Sequence, residues 1–261
     1  MTDKDNKKKL PISVFIITLN EERHIEQVLA SIQSFDEIVL VDSGSTDNTV
    51  SIAQRMGATV YHQDWLGYAK QKQYAMSLCA NEWVLNLDGD EVLNQRIITR
   101  FAQIVESDEA DSVRFWRNDL FIGKKLSPLS KRPNNHRLYK KSKARFDESN
   151  LAHESACVNG KELFIDEEFD HYGYNSIRDL TEKNNIYSCL KALEKHNKGK
   201  KASLLKLIFI FPLTFLKQYL LQRYIFSGKR GFIKAVIVAY YAFLKEAKLF
   251  ELRENEKLPP L

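Results

Sequence analysis

The chain has only three cysteines in 261 residues, Cys79, Cys157 and Cys189. They are widely spaced and no two form a C-x-x-C pair, so the sequence carries neither a zinc signature nor a disulfide framework. A reducing compartment is the simplest setting. The polar, Lys-rich stretch Met1–Lys9 is followed by no apolar leader, because the short run Ile12–Leu19 leads into Asn20-Glu21-Glu22. No secretory signal is therefore expected. Internal repeats and low-complexity tracts are missing. No apolar run free of charge exceeds about ten residues, short of the roughly 20 that a membrane-spanning helix needs. Disorder is excluded by composition, with 44% hydrophobic and 28% charged residues.

What charge there is lies unevenly. Residues 198–261 hold 13 Lys or Arg against 4 Asp or Glu, while residues 1–197 hold 26 against 30. The basic character belongs to the C-terminal tail. The tail also has two apolar stretches, Leu204–Phe226 and Phe232–Phe250, each broken by Lys, Arg or Glu. Such segments are expected to lie in the headgroup region of an anionic membrane surface, with Lys and Arg reaching outward. Packing on the catalytic domain as ordinary helices is the alternative. A nucleic-acid partner is not expected, because the tail's aromatics interleave with aliphatics rather than lining a basic groove.

The first ninety residues alternate between two periodicities. Ile12–Leu19, Glu37–Asp42, Thr59–Tyr61 and Trp83–Leu87 read as short buried strands. Between them, a helix opened by Asn20-Glu21-Glu22, a second at about 48–56 behind Asp47, and a third over 68–80 show helical spacing. This order predicts an α/β fold with a mostly parallel sheet flanked by helices. Residues 112–120 and 121–126 are expected as strands separated by a turn. Residues 128–150 read as a loop, and 176–196 as an amphipathic helix.

In parallel sheets, ligands bind beyond the carboxyl ends of the strands. Three such ends carry polar groups: Thr18-Leu19-Asn20-Glu21-Glu22, Val41-Asp42-Ser43-Gly44-Ser45-Thr46-Asp47, and Leu87-Asp88-Gly89-Asp90-Glu91. Gly89 permits a tight turn that lets Asp88 and Asp90 aim at one point. Gathered carboxylates repel unless a cation or donor lies between them, and a hard cation such as Mg²⁺ or Mn²⁺ meets that need while bridging phosphates. Each segment alone is also consistent with a helix cap or an Asx turn.

Together, ITLNEE (17–22), DEIVLVDSGSTDNT (36–49) and NLDGDE (86–91) resemble the signature of glycosyltransferase family 2, inverting enzymes with the Rossmann-like GT-A fold. The resemblance is strongest over about residues 12–95 and points to the small enzymes that decorate the lipopolysaccharide inner core. It implies a nucleotide-sugar domain at 10–195 and a basic amphipathic membrane-associating tail at 196–261. Thr18, Asn20 and Glu22 would line the uridine pocket, Asp42 would bond the base or ribose, and Lys72 would lie near the donor phosphates. Asp88 would contact the ribose or the metal, and Asp90 would bind Mn²⁺ or Mg²⁺ directly. Inversion needs a general base on the acceptor side, and Glu154, in Ala152-His153-Glu154-Ser155, occupies the matching position. Arg132, Arg137 and Lys140 could face an anionic acceptor or be solvated loop charges.

The expected donor is a UDP-sugar, UDP-glucose by resemblance. The expected acceptor is a lipopolysaccharide core heptose at the cytoplasmic face of the bacterial inner membrane. Gln222-Arg223-Tyr224 departs from the Q-x-x-R-W of processive relatives, which favours single-sugar transfer. Alternatives are another cell-envelope acceptor and a nucleotide-sugar-binding protein without catalysis.

Overall fold

The computed structural model describes residues 9–147, 155–174 and 176–255. The chain forms two compact units, one of residues 1–118 and 133–171, the other of 119–132 and 172–261.

The first unit is built on the strands foreseen from the sequence. β1 (Leu10–Thr18), β2 (Phe35–Asp42), β3 (Thr59–His62) and β4 (Trp83–Asp88) lie parallel in the order β3-β2-β1-β4. The helices α1 (Ile25–Ser31), α2 (Thr49–Arg55) and α3 (Tyr68–Ser77) connect them. β1 and β4 are buried on both faces, which is why they read as unbroken apolar runs. Asn20 does not open a helix: its φ is 56° and α1 begins only at Ile25. Asn tolerates this left-handed backbone better than most residues.

Beyond β4 the sheet continues in the order β8 (Asn134–Lys140), β6 (Ser112–Phe121), β11 (Glu162–Tyr174) and β5 (Glu91–Val92). Between β5 and β6 runs α4 (Gln95–Ser107), and the end of β6 pairs with β7 (Lys124–Lys125). Residues 134–140 form β8 (Asn134–Lys140), inserted antiparallel between β4 and β6. The loop expected over 128–150 is thus incorrect for its middle. The strand signal there is only Leu138 and Tyr139, both fully buried, set among Arg and Lys. A small hairpin follows, from β9 (Ala144–Arg145) and β10 (Cys157–Val158). β11 (Glu162–Tyr174) then runs beside β6 and pairs antiparallel with β5 through Asp170↔Val92 and His171↔Glu91.

One face of this sheet packs Val14, Ile16, Leu85, Leu87, Val113 and Phe115 against Phe101 and Ile104 of α4, among others. The opposite face packs Phe15, Val41, Val84 and Tyr139 against Ala75 and Met76 of α3. Burying side chains of this size contributes about 1.5–3 kcal/mol each, and these two layers hold the strand ends in register.

The second unit contains α5 (Ile177–Asn197), α6 (Leu204–Leu216) and α7 (Gly228–Asn255). A π-helical turn, Lys217–Leu221, extends α6. The combined stretch Leu204–Leu221 has a mean hydropathy of 1.6, and none of it is buried. By length and composition it reaches spanning length, contrary to the expectation that no segment does. Lys206 and Lys217 interrupt the apolar run, but two charges in 18 residues are compatible with a span by length and composition. Within the unit, Lys234 Nζ donates to Asp119 Oδ2 at 2.9 Å, both groups buried. Lys195 and Lys206 pair with the buried Glu246.

Candidate functional site

The strand register brings the predicted acids to one edge. Thr18 pairs with Asp42 across β1 and β2, and Ile17 pairs with Asp88 across β1 and β4. Neighbouring strands lie about 4.8 Å apart, so Asp42 and Asp88 are roughly 10 Å apart at the Cα level. The close packing of the two turns tightens the group further. A Cβ added at Gly89 would meet Glu21 Cγ at 3.0 Å and Cβ at 3.2 Å. A side chain at position 89 would need Glu21 to give way, which glycine avoids as the Asp88-Gly89-Asp90 turn lies against the β1–α1 loop.

Asp42 is held by its own turn. Its Oδ2 accepts from the backbone N–H of Gly44 at 2.9 Å and of Ser45 at 2.8 Å. Its Oδ1 accepts from the hydroxyls of Ser45 and, at 3.3 Å, Thr18. Asn20 and Glu22 reach the same turn. Asn20 Oδ1 accepts from Thr46 N at 2.8 Å, and Glu22 Oε2 accepts from Asn48 N at 3.0 Å. These two residues tie the β1–α1 loop to the β2–α2 loop. Asp47 accepts from Thr49 N and Oγ1 and from Glu22 N. These bonds outweigh burial and lower its carboxyl pKa.

Asp88 sits between two cations. Its Oδ1 accepts from Lys72 Nζ at 3.0 Å and its Oδ2 from Arg137 at 2.9 Å. The carboxylate is about a third exposed, whereas Lys72 and Arg137 are almost fully buried. Loss of water around Asp88 raises its pKa, but Arg137 and Lys72 outweigh that and hold it well below the usual carboxylate range. Glu91, fully buried, also pairs with Arg137 and accepts from Asp88 N at 3.0 Å. Burial pushes its pKa up against the pull of Arg137, and Asp88 adds repulsion.

A β-bulge aims Arg137. Val113 pairs with Leu138 but Arg114 pairs with His136, so Arg137 is the extra residue on β8. Bulges of this kind redirect side chains beside active sites. Around it, Asn86 Oδ1, Arg137 Nε and Tyr139 Oη are buried without a hydrogen-bond partner. Buried polar atoms are usually paired, so three of them on the neighbouring strands β4 and β8 are a local concentration of polar groups.

Asp90 faces a residue that sequence reasoning missed. His171 Nε2 lies 3.6 Å from Asp90 Oδ2, both side chains about nine-tenths buried. The β11–β5 pairing brings it there. Lys72, expected near the donor phosphates, lies on Asp88. Glu154 falls outside the described residues. The three cysteines are free, and burial pushes the Cys79 thiol up to about 12.

A carboxylate and an imidazole nitrogen held together suit Mn²⁺ or Mg²⁺ chemically, with imidazole favouring the softer of the two. Asp88 is paired with two side-chain cations through one bond to each oxygen, and its carboxylate remains about a third exposed. Among the described residues no three His, Cys, Asp or Glu side chains gather as a complete metal cage.

The description "Glycosyl transferase family 2" matches residues 13–167. A lipopolysaccharide core biosynthesis glycosyltransferase, LpsC of Rhizobium meliloti, is 34% identical over 93% of this chain and 93% of its own length. A glycosyltransferase of Rickettsia typhi is 37% identical over 92% of this chain and 87% of its own. Among solved structures, S. aureus TarS residues 1–349 with UDP-GlcNAc superposes with a TM-score of 0.50 at 17% identity. It covers 94% of this chain and 91% of that one, and shows the likeness of fold. The convergence of three strand-end motifs on one sheet edge, within a family match covering more than half the chain, has one reading: this chain belongs to glycosyl transferase family 2 and has its GT-A fold.

Proposed function

We propose that the protein transfers a single sugar, with inversion, from a UDP-sugar to a lipopolysaccharide core acceptor. The observation that carries this reading is the pairing of Asp90 with His171 next to the neutralised Asp88, at the carboxyl edge of the parallel strands. Full-length similarity to an enzyme named for lipopolysaccharide core biosynthesis supports the acceptor class. UDP-glucose is the proposed donor and a core heptose the proposed acceptor, by resemblance to inner-core transferases. A nucleotide-sugar domain at 10–195 and an associating tail at 196–261 remain the proposed division of labour.

Thr18, Asn20, Glu22 and Asp42 form the proposed nucleoside side. The Thr18–Asp42 bond and the bonds of Asn20 and Glu22 to the β2–α2 turn fix the loop shapes before donor arrives, which lowers the ordering cost of binding. Asp90 and His171 would hold Mn²⁺ or Mg²⁺, which when bound neutralises the departing diphosphate. With two protein ligands, the remaining positions suit phosphate oxygens and water. Lys72 and Arg137 keep Asp88 ionised without leaving a net charge uncompensated. Glu154 is the proposed base: it takes the proton of the acceptor hydroxyl while that oxygen attacks the anomeric carbon and UDP leaves.

The exposed Leu204–Leu221 stretch and the basic tail support peripheral attachment to the cytoplasmic face of the inner membrane. The absence of the Q-x-x-R-W pattern supports single transfer.

The test is release of UDP from a panel of UDP-sugars with Mn²⁺ or Mg²⁺, with and without lipopolysaccharide core oligosaccharide. At least one donor is expected to turn over, faster with acceptor, and EDTA is expected to stop it. Binding of UDP-sugar without turnover under all these conditions would leave only the non-catalytic reading.

A further inference from the structure

The outer half of the sheet carries a second group of side chains that the donor chemistry does not use. On β6, Val113 and Phe115 point into the core with Ile165 and Phe169 of β11. Strand alternation therefore puts Arg114 and Trp116 on the opposite face, beside Glu162, Phe164 and Asp166. Leu85 and Leu87 belong to the same core, so Asp88 shares that opposite face.

The group has a defined geometry. Trp116 and Phe164 meet edge to face, with ring centroids 5.1 Å apart and an interplanar angle of 82°. Trp116 Nε1 donates to Asp166 Oδ1 at 2.8 Å, which fixes the indole. Phe164 is 45% exposed and Asp166 is exposed. Beside them, Glu162 pairs with Arg114 at 3.3 Å and with His136 at 2.9 Å. Arg114 offsets the charge of Glu162, while the Oδ2 atom of Asp166 can accept from an incoming hydroxyl.

The height along the sheet also matters. Leu85 pairs with Leu138 and Trp116 with Asn134. Continuing the β4–β8 register brings Asp88 to nearly the same rung as Trp116, with β8 between them. The two are thus about two strand spacings apart, roughly 10 Å. That is the reach of a sugar or two from the reacting centre.

We propose that Trp116, Phe164 and Asp166 form a saccharide-binding platform that takes a pyranose unit of the acceptor next to the one receiving the sugar. The exposed Phe164 ring, backed by the half-buried Trp116, offers an apolar surface to the C–H face of a sugar ring. A fixed carboxylate at its rim accepts from the ring's hydroxyls, and a few placed polar groups on an apolar floor give orientation. The inference rests on the transfer reading above and names the part of the acceptor that is held.

The experiment compares wild type, Phe164→Ala and Asp166→Asn with core oligosaccharide freed from lipopolysaccharide by mild acid. The KM for the oligosaccharide is expected to rise about tenfold in Phe164→Ala and about threefold in Asp166→Asn, with kcat and the KM for UDP-glucose within about twofold. Oligosaccharide alone should perturb tryptophan fluorescence in wild type and do so less in Phe164→Ala. An unchanged acceptor KM in both variants would overturn the platform. So would a change of oligomeric state by light scattering in Phe164→Ala, which would make this face a self-association surface. If wild type turns over no donor, the transfer reading fails, and the fluorescence titration still decides the platform by itself.

Discussion

Two helices of 13 residues, α4 and α6, use apolar residues in opposite ways. α4 buries Ile97, Ile98, Phe101 and Ile104, is capped by Asn94 accepting from Ile97 N at 3.1 Å, and ends at Asp108 in a left-handed conformation. α6 is far more apolar, yet buries none of its residues, has no side-chain cap bond and contains Pro212. An apolar surface left open over this length marks an interaction site rather than a folding element. The first helix supports the scaffold of the chemistry, and the second is available to something outside the chain.

The same substitution separates them. Phe101, fully buried, should cost about 3–5 kcal/mol when changed to Ala, read as a drop in the denaturant midpoint. Phe209, 52% exposed, should cost less than about 0.5 kcal/mol in vesicle-free buffer. Equal costs would break the contrast. Next in size is Asp90→Ala, expected to lower kcat by about a hundredfold or more while vesicle binding stays intact. Loss of vesicle binding in that variant would show that the two functions are not separable.

Asp88→Asn should follow, at about 1–3 kcal/mol of stability at neutral pH, since it removes one partner of a charged hydrogen-bonded pair. The folded pKa of Asp88 lies below its ordinary 3.8. Its contribution is therefore present above about pH 4 and fades as pH falls through the folded value. Thermal melts of wild type and variant should converge in that acidic window; a gap that widens toward low pH would contradict the ion cluster. The smallest effect is Phe209→Ala on binding to anionic vesicles, about tenfold by co-sedimentation. No change there would mean that α6 is not the membrane-facing element.

Much of the donor half was legible because it follows simple local rules. β1, β2 and β4 are short, apolar and β-branched, and the ends of β2 and β4 carry Asp42, Asp88 and Gly89 in a pattern that suits turns at a sheet edge. The rest needed pairing between distant segments. His171 is a single histidine in a strand that begins seventy residues after Asp90, and only the β11–β5 register brings them together. β8 was hidden because its apolar content is two residues within a basic stretch. Arg137 was noticed as a positive charge facing an acceptor or solvent; its burial against Asp88 and Glu91 depends on an irregularity in strand pairing that side-chain periodicity does not encode. Asn20 and Glu22, expected in the uridine pocket, also brace two loops, which no local pattern in the sequence indicates.

The extra residue in β8 couples reading frame to electrostatics. Deleting Arg137 would not simply remove a charge. It would make Val113↔Leu138 and Arg114↔His136 consecutive rungs of a regular ladder, with Leu138 still in its core layer and His136 still beside Glu162. What would be lost is the irregularity that turns a guanidinium toward Asp88 and Glu91. A single-codon deletion at this point therefore spares the ladder and dismantles the ion cluster, whereas replacing Arg137 by Lys keeps the bulge and alters the local field.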